Sequence, residues 1–529
     1  MTDGPVNSVK SSRGFLLYII FTSMLCGALV MVIEVLGSRV IGPFYGVSLF
    51  VWTSLITVTL VALAMGYVSG GILSDRRDDP AWLYGIILLA GLFVLIIPVI
   101  KLPVLKICQS LGLRGGAFAS SLLLFGPALF LLGCVSPYIV KIAAREMKNI
   151  GRTVGMLSAI STFGSFIGTI STGFVLIAYF GVSRIFLVIG LLLIALAVGY
   201  FLFFRRKPLF LIMLLIPMLF SGTGGAVSKL MSDGTRVTKV FEKESFYGSI
   251  KVVDYENSTG TVRSMLIDGL TQGRMDLSNS MPVSSYIYFM QFLPYALNPG
   301  GKSCLVVGLG AGLVPMWYEK QGITTDVIEI DPHVLDAART YFGFKTTGEV
   351  FIDDARYHLN NSKKKYDYVV LDVFNGDTTP GHVLSLEALQ VVKQRMADKG
   401  VLAVNLIGSL RRETFMTNSI VETLRQVFST VRIYPVFSAD GDNDWGNLAV
   451  IAFNGAAIQF NPSAVSNFKV HKFAEQRVHD NLGKTFTFPA DSASIILTDN
   501  YNPVDFYDTW LKEELRRSIL ASQDADILS

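Results

Sequence analysis

Apolar positions fall into two regimes along this chain. From residue 15 to about 225 they form long runs with few charges; from about 235 they form short runs of helix and strand period. A helix needs about 20 apolar residues to cross a hydrocarbon layer with its backbone satisfied. Six stretches qualify: 15–37, 47–70, 82–104, 117–140, 153–180 and 183–204. A seventh, 208–224, is short and holds two prolines, so it reads as a span or as a re-entrant or interfacial segment. In the second regime TKVFEK, SIKVVDY and VRSMLIDG alternate in the strand period and are broken by turn signals such as NSTG, which predicts a small antiparallel sheet. A helix over about 283–297 follows. Then CLVVG, TDVIEI, GEVFI, YDYVVLD and GVLAVNLI alternate with helical stretches, the pattern of a largely parallel sheet covered by helices on both faces.

These elements divide the 529 residues into an N-terminal tail (1–14), a transmembrane helical domain (15–226), a small β domain (227–282) and a Rossmann-like α/β domain (283–529). The fold class is an α-helical membrane domain fused to an α/β nucleotide-binding domain that is preceded by a small antiparallel sheet.

Charge refines the membrane half. Arg76 and Arg77 follow the second stretch, Lys141, Arg145, Lys148 and Arg152 the fourth, and Arg205, Arg206 and Lys207 the sixth. The alternate connections carry only Lys106, Arg114 and Arg184. The positive-inside tendency puts the basic exits in the cytoplasm, and six crossings leave the soluble half there too. Glu34, five residues before Arg39, is a charge inside the first stretch, either paired near the membrane edge or functional. GYVSG (Gly66, Gly70) and GSFIG (Gly164, Gly168) have the spacing that lets helices approach closely.

A net charge of +4 without a basic block gives no nucleic-acid signature. Four scattered cysteines, with no CxxC pair or His/Cys cluster, indicate neither a metal site nor a disulfide framework.

Ligands of parallel α/β sheets bind beyond the carboxyl ends of the strands, and the informative residues lie there. The first strand runs into Gly308-Leu309-Gly310-Ala311-Gly312, where glycines permit a tight turn beside a nucleotide-like ligand. The second ends at Glu329-Ile330-Asp331, where a carboxylate accepts ribose hydroxyls and repels a ribose phosphate. The third leads to Asp353 and Asp354, one of them suited to an adenine amino group, and the fourth ends at Asp372, followed by Asn375 and Asp377. Acids on three successive strand ends beside a glycine turn favour an adenosyl sulfonium, S-adenosylmethionine or its decarboxylated form, over a dinucleotide. An ammonium acceptor must lose a proton before it attacks such a donor, and Asp372 is placed to orient the amine and take that proton.

The chain resembles the spermidine synthase (polyamine aminopropyltransferase) family, specifically its long membrane-fused members. The resemblance rests on MLIDGLTQGRMD, CLVVGLGAG, DVIEIDPHVLDAARTYFG, FIDDARYHL, YDYVVLDVFNGDTTPGH, GVLAVNLIG and LTDNYNPVD. In the membrane half it rests on IEVLGSRVIGPFYGVSLFVWTSLI and MGYVSGGILSDR. It implies aminopropyl transfer from decarboxylated S-adenosylmethionine to an amine such as putrescine, releasing methylthioadenosine without a metal. It further implies that Gln272 lines the donor or acceptor channel, Glu329 holds the ribose, Asp354 the adenine, and Asp372 accepts the proton. Tyr247 and Tyr288 match tyrosines around the family's active site. The lipid bilayer and a homodimer are the expected associations, in a bacterial inner membrane with the soluble domain cytoplasmic.

The departures fall on the polyamine side. Gly248 replaces a glutamine after Tyr247, Ala311 replaces an aspartate that meets the donor's ammonium, and Phe289-Met290 follow Tyr288 in place of a His-Glu pair. Asn375 stands where the family has its second acid, with Asp377 as a substitute two residues on. Several contacts to ammonium groups, each about 1.5–3 kcal/mol, are therefore lost. Two other readings stay open: a methyltransferase using intact S-adenosylmethionine on another, membrane-associated acceptor, and a transporter or sensor that binds adenosyl or polyamine ligands without chemistry.

Overall fold

A computed structural model describes residues 13–46, 49–144, 150–220, 228–374, 380–439, 444–455, 460–504, 509–522 and 527. The chain divides into two compact units, the first built mainly of residues 1–225 and the second mainly of 226–528.

The first unit is helical. Helices Arg13–Tyr45, Leu49–Arg76, Pro80–Cys108, Gly112–Ala144, Ile150–Ser171 and Val182–Phe203 cover most of the six apolar stretches, residues 47 and 48 lying outside the described residues. The fifth continues through a π-helical turn, Thr172–Leu176. Five helical stretches among the described residues are long and apolar enough to cross a membrane, one of them the 65-residue pair of helices Pro80–Ala144. Pro208–Phe220 is a 3-10 helix. The first and fifth helices meet backbone to backbone, because a Cβ on Gly164 or Gly168 would lie 2.0 Å from the Met24 carbonyl or 2.4 Å from that of Ala28. Charges gather at the ends of the second, fourth and sixth helices. Lys141 reaches Asp75 at 2.8 Å and Asp78 at 3.2 Å, and Arg205 pairs with Asp79.

The second unit begins with a six-stranded antiparallel meander: β1 Ser228–Leu230, β2 Arg236–Glu244, β3 Ser249–Asn257, β4 Gly260–Ile267, β5 Leu270–Asp276 and β6 Met281–Pro282. Asp268 (φ 47°) and Gly269 (φ 80°) form the two-residue turn between β4 and β5, the geometry that matches the twist of a hairpin. At the end of β5, Asp276 meets His471 Nε2 at 3.0 Å in a buried pair. His471 Nδ1 accepts the Phe473 N–H, so the ring proton sits on Nε2 and is donated to Asp276. Donors from Ser278 and His471 hold the Asp276 carboxyl down at about 2.

Helix Ser285–Leu297 leads into a seven-stranded sheet: β7 Ser303–Val307, β8 Thr324–Glu329, β9 Val350–Ile352, β10 Tyr366–Leu371, β11 Met396–Ser409, β12 Thr430–Pro435 and β13 Trp445–Phe453. The order is β12-β13-β11-β10-β7-β8-β9. The five strands from β11 to β9 are parallel; β13 runs antiparallel to β11 and β12. Side chains alternate between faces as the strand period requires. Cys304, Val306, Tyr368 and Val370 pack on the side of Ser285–Leu297, whereas Leu305, Val307, Val369 and Leu371 pack with helices Leu386–Gln394 and Phe415–Val427. Chain order reverses between β7 and β10, and that switch point opens a crevice at the carboxyl ends of the strands.

Candidate functional site

The crevice is a cavity of ≈ 230 Å³ at this switch point. β7 and β10 deliver to its wall the residues immediately after their last pair, Gly308 and Asp372, β8 delivers its last paired residue, Glu329, and β5 adds Gln272. Strand ends are the natural source, because the sheet's backbone hydrogen bonds stop there and side chains are free to face a ligand.

The glycine turn is shaped by close approach. Gly308 has φ 89°, and a Cβ on it would sit 2.2 Å from the Asp372 carbonyl oxygen. Gly310 has φ 49°, and a Cβ there would sit 2.8 Å from the Gln272 carbonyl. The turn is thus clamped between the end of β10 and β5. Its next N–H, from Leu309, donates to Glu329 Oε2 at 2.9 Å, and the Asp331 N–H donates to Glu329 Oε1 at 2.9 Å. Each Glu329 oxygen keeps a lone pair for a further donor. Burial outweighs these N–H groups and pushes the Glu329 carboxyl up to about 7.

Two other acids divide their oxygens between structure and cavity. Asp331 caps helix Pro332–Phe342, accepting the His333 N–H at 2.9 Å on Oδ1. Its Oδ2 is buried without a hydrogen-bond partner, which a ligand hydroxyl would supply. Asp354 caps helix Ala355–Asn361 through the Tyr357 N–H, and its Oδ2 lies 3.4 Å from His382 Nε2. Asp353 accepts the Asp354 N–H and lines the same wall.

Asp372 follows β10 at the edge of the cavity. Its Oδ1 accepts Asn405 Nδ2 at 2.7 Å. Burial pushes its carboxyl up to about 6, with the Asn405 bond pulling the other way. A carboxyl in that range is mostly ionised at neutral pH yet basic enough to take a proton. Tyr247, on the turn between β2 and β3, is half-exposed, and its phenol is raised by burial and by the charges of Asp331, Asp354 and Glu329.

The structure therefore brings Tyr247, Gln272, Gly308, Gly310, Glu329, Asp331, Asp353, Asp354 and Asp372 to one cavity. Gly312 does not line it; its α-carbon packs beside the Phe344 ring, at the cap of helix Leu313–Lys320. Tyr288 is not among the lining residues of this cavity. It is buried in the core, donating to the Pro282 carbonyl at 2.7 Å and accepting the His471 N–H at 3.0 Å, because helix Ser285–Leu297 turns that face toward β6. Asn375 and Asp377 lie outside the described residues. Ala311 is buried against β5, where a Cβ on Gly273 would come within 2.7 Å of the Ala311 methyl.

Sequence reasoning missed His382, Phe374 and Asn405. Phe374 and His382 lie within the run YDYVVLDVFNGDTTPGH, which by itself gives neither a role. Asn405 had a signal: a fully buried amide inside the apolar run VLAVNLI. Segment 380–385, which supplies His382, is tied down by Arg356, bonded to the His382 carbonyl and bidentate to Asp499 at 2.9 and 2.7 Å. Asn502 adds a bond to the Gly381 carbonyl at 2.7 Å.

Five carboxylates and no lysine or arginine occur among the described lining residues. Such a wall repels phosphates and suits a cationic ligand with hydroxyl donors.

The spermine/spermidine synthase domain family matches residues 285–439. A polyamine aminopropyltransferase of Vibrio vulnificus is 27% identical over 288 residues, 51% of this chain and 91% of that protein. An N-terminal histidine N-methyltransferase of Emericella nidulans is 30% identical over 181 residues; the match takes in 33% of this chain and only 32% of that protein. Among solved structures, spermidine synthase from Thermotoga maritima aligns with a TM-score of 0.37 and 17% identity, over 50% of this chain and 92% of that one.

Proposed function

We propose that this chain, which belongs to the spermine/spermidine synthase family through residues 285–439, is a membrane-bound transferase of an aminopropyl group from decarboxylated S-adenosylmethionine to an amine. The observation that carries the reading is Asp372, a carboxylate of raised basicity beside the glycine turn in an acid-lined cavity.

The residues fit the adenosyl part of such a donor. Glu329 has a free lone pair on each oxygen, and the unpartnered Asp331 Oδ2 is an acceptor for a ribose hydroxyl. Asp354 is the acceptor for the adenine amino group. The sulfonium's positive charge is favoured by the surrounding carboxylates. Asp372 removes a proton from the acceptor ammonium. The amine lone pair then forms a bond to the propyl carbon attached to sulfur. The C–S bond breaks with its electron pair going to sulfur, which leaves neutral methylthioadenosine and a protonated secondary amine. Asp372 passes its proton to solvent.

The helical unit supplies the membrane attachment: its helices are long and apolar enough to cross, and its basic ends cluster on one side around Asp75, Asp78 and Asp79, which supports a cytoplasmic placement of that side.

A second reading, methyl transfer from intact S-adenosylmethionine, is favoured by two observations. Ala311 is a buried methyl and offers no acid to a donor ammonium, and Tyr288 is occupied in the core. Calorimetry on the purified full-length protein separates the two. Tighter binding of the decarboxylated donor than of S-adenosylmethionine supports aminopropyl transfer, and methylthioadenosine then appears when putrescine or a related amine is added. Preference for the intact donor overturns the first reading in favour of methyl transfer.

A further inference from the structure

We infer that Asn405 and Asn447 are positioning residues that fix which oxygen of Asp372 receives the proton, an inference that rests on the transferase reading of the site. Asp372 and Asn405 are the residues that follow the last β10–β11 pair, Leu371 with Val404. Parallel neighbours in register point to the same face, so the two side chains meet at the carboxyl end of the sheet. Asn447 comes from β13, where Ala449 pairs with Asn405 and Asn447 is its diagonal neighbour on the same face. Asn405 Nδ2 lies 2.7 Å from Asp372 Oδ1, and Asn447 Nδ2 lies 3.0 Å from Asn405 Oδ1.

The direction of this chain follows from chemistry. An ionised carboxylate only accepts, so Asn405 must turn its NH2 toward Asp372. Its oxygen is then left facing Asn447, which must donate. Asn447 thereby holds the amide of Asn405 in the one orientation that serves Asp372. Oδ1 is engaged and the basic lone pairs of Oδ2 are left for the acceptor's proton. A buried amide inside an apolar central strand costs stability unless it is paired, and Asn405 is 1% exposed. Its side chain is paired at both ends, with Asp372 and with Asn447.

The donated bond also stabilises the ionised form of Asp372, so its loss raises the pH at which Asp372 ionises. The other titratable groups around that carboxylate are Tyr286 on helix Ser285–Leu297, Tyr247, Glu329, Asp331, the Asp353–Asp354 pair and His382. None of them contacts Asn405 or Asn447 by a described hydrogen bond, so replacement of the amides leaves them in place.

The test uses Asn405→Leu, Asn447→Leu and the double variant of the full-length protein. The first readout needs no substrate: the infrared carbonyl band of protonated Asp372, assigned by its absence in Asp372→Asn, is followed against pH. Its midpoint should rise by about one pH unit in Asn405→Leu and by less in Asn447→Leu, with no further rise in the double variant. The second readout is methylthioadenosine formation from decarboxylated donor and putrescine. kcat at pH 6.5 should fall about threefold in Asn405→Leu and its acid limb should move to higher pH, while KM for the donor stays within twofold. Unchanged midpoints, or an Asn447→Leu effect that adds in full to that of Asn405→Leu, would overturn the inference. Normal infrared shifts with no methylthioadenosine formed by the wild type would instead overturn the transferase reading and leave the positioning geometry standing.

Discussion

Replacing Glu329 by glutamine is the most informative single test of the proposed donor site. Both carboxylate oxygens already accept one backbone N–H, from Leu309 and from Asp331, each at 2.9 Å. Glutamine keeps one oxygen and turns an NH2 group against the other N–H. It therefore removes one ribose acceptor and leaves the second neutral. A hydrogen bond to a carboxylate contributes about 1.5–3 kcal/mol and one to a neutral amide about 0.5–1.5 kcal/mol. The expected loss is about 2–4 kcal/mol, roughly 30- to 700-fold in Kd. A pH signature comes with it. Burial places the Glu329 carboxyl at about 7 in the free protein, and ribose hydroxyls donate to its ionised form. Below pH 7 binding must expel a proton, so wild-type affinity weakens about tenfold per pH unit as pH falls and levels off above 7. Glutamine does not titrate, and its curve is flat. Calorimetry with methylthioadenosine between pH 5.5 and 8.5, in two buffers of different ionisation heat, reads affinity and proton release together. The probe carries no charge, so the proton count reports the protein. A Glu329→Gln protein that binds within threefold of wild type, or that keeps the wild-type pH slope, would refute the assignment of Glu329 to the ribose.

Other consequences follow from the same geometry. Asp372→Asn should abolish most turnover while methylthioadenosine binding stays within twofold, as single-turnover product formation and calorimetry would show. The same substitution should stabilise the protein. Burial raises the folded-state carboxyl to about 6, so its favourable contribution is complete below the unfolded value near 4 and is lost as pH climbs to 6; asparagine should add about 1–3 kcal/mol at pH 7.5 and nothing at pH 4 by denaturant unfolding. Gly308→Ala places a Cβ 2.2 Å from the Asp372 carbonyl at a φ of 89°, and should cost more than about 3 kcal/mol in thermal unfolding or abolish ligand binding. His471→Leu removes one donor from Asp276, which keeps those of Ser278 and Asn279, and should cost about 1.5–3 kcal/mol at pH 7. Because Asp276 is held near 2, that difference should persist down to pH 4 and shrink as pH falls from 4 toward 2.

Much of the cavity lining was legible in the sequence, because strand-end acids and a glycine turn sit at fixed places in a parallel sheet. The helical stretches were legible for a similar reason, since long apolar runs have few alternatives. The rest depended on contacts between distant segments. LTQGRMD was passed over as a strand because the Asp268-Gly269 turn beside it was read as the end of VRSMLIDG, although two residues of that type are a strong hairpin signal. The antiparallel β12 and β13 were also missed, and with them Asn447. Tyr288 was named only through its match to a family tyrosine, and no pattern in the sequence shows that helix phase turns it to Pro282 and His471. No periodicity reveals that Asp331 and Asp354 each spend one oxygen on a helix cap and keep the other for the cavity.

The contact between Gly308 and the Asp372 carbonyl has a bearing on how this site can diversify. With no side-chain atom between them, the glycine turn and Asp372 form one frame, and neither can be redesigned without displacing the other. Descendants with new acceptors should therefore accumulate their changes at the rim, in positions such as Tyr247, Phe374 and His382, where side chains meet the cavity without bearing on the backbone beneath. On the transferase proposal, a directed-evolution library confined to that rim would alter which nucleophile is chosen while the glycine turn and Asp372 are inherited intact.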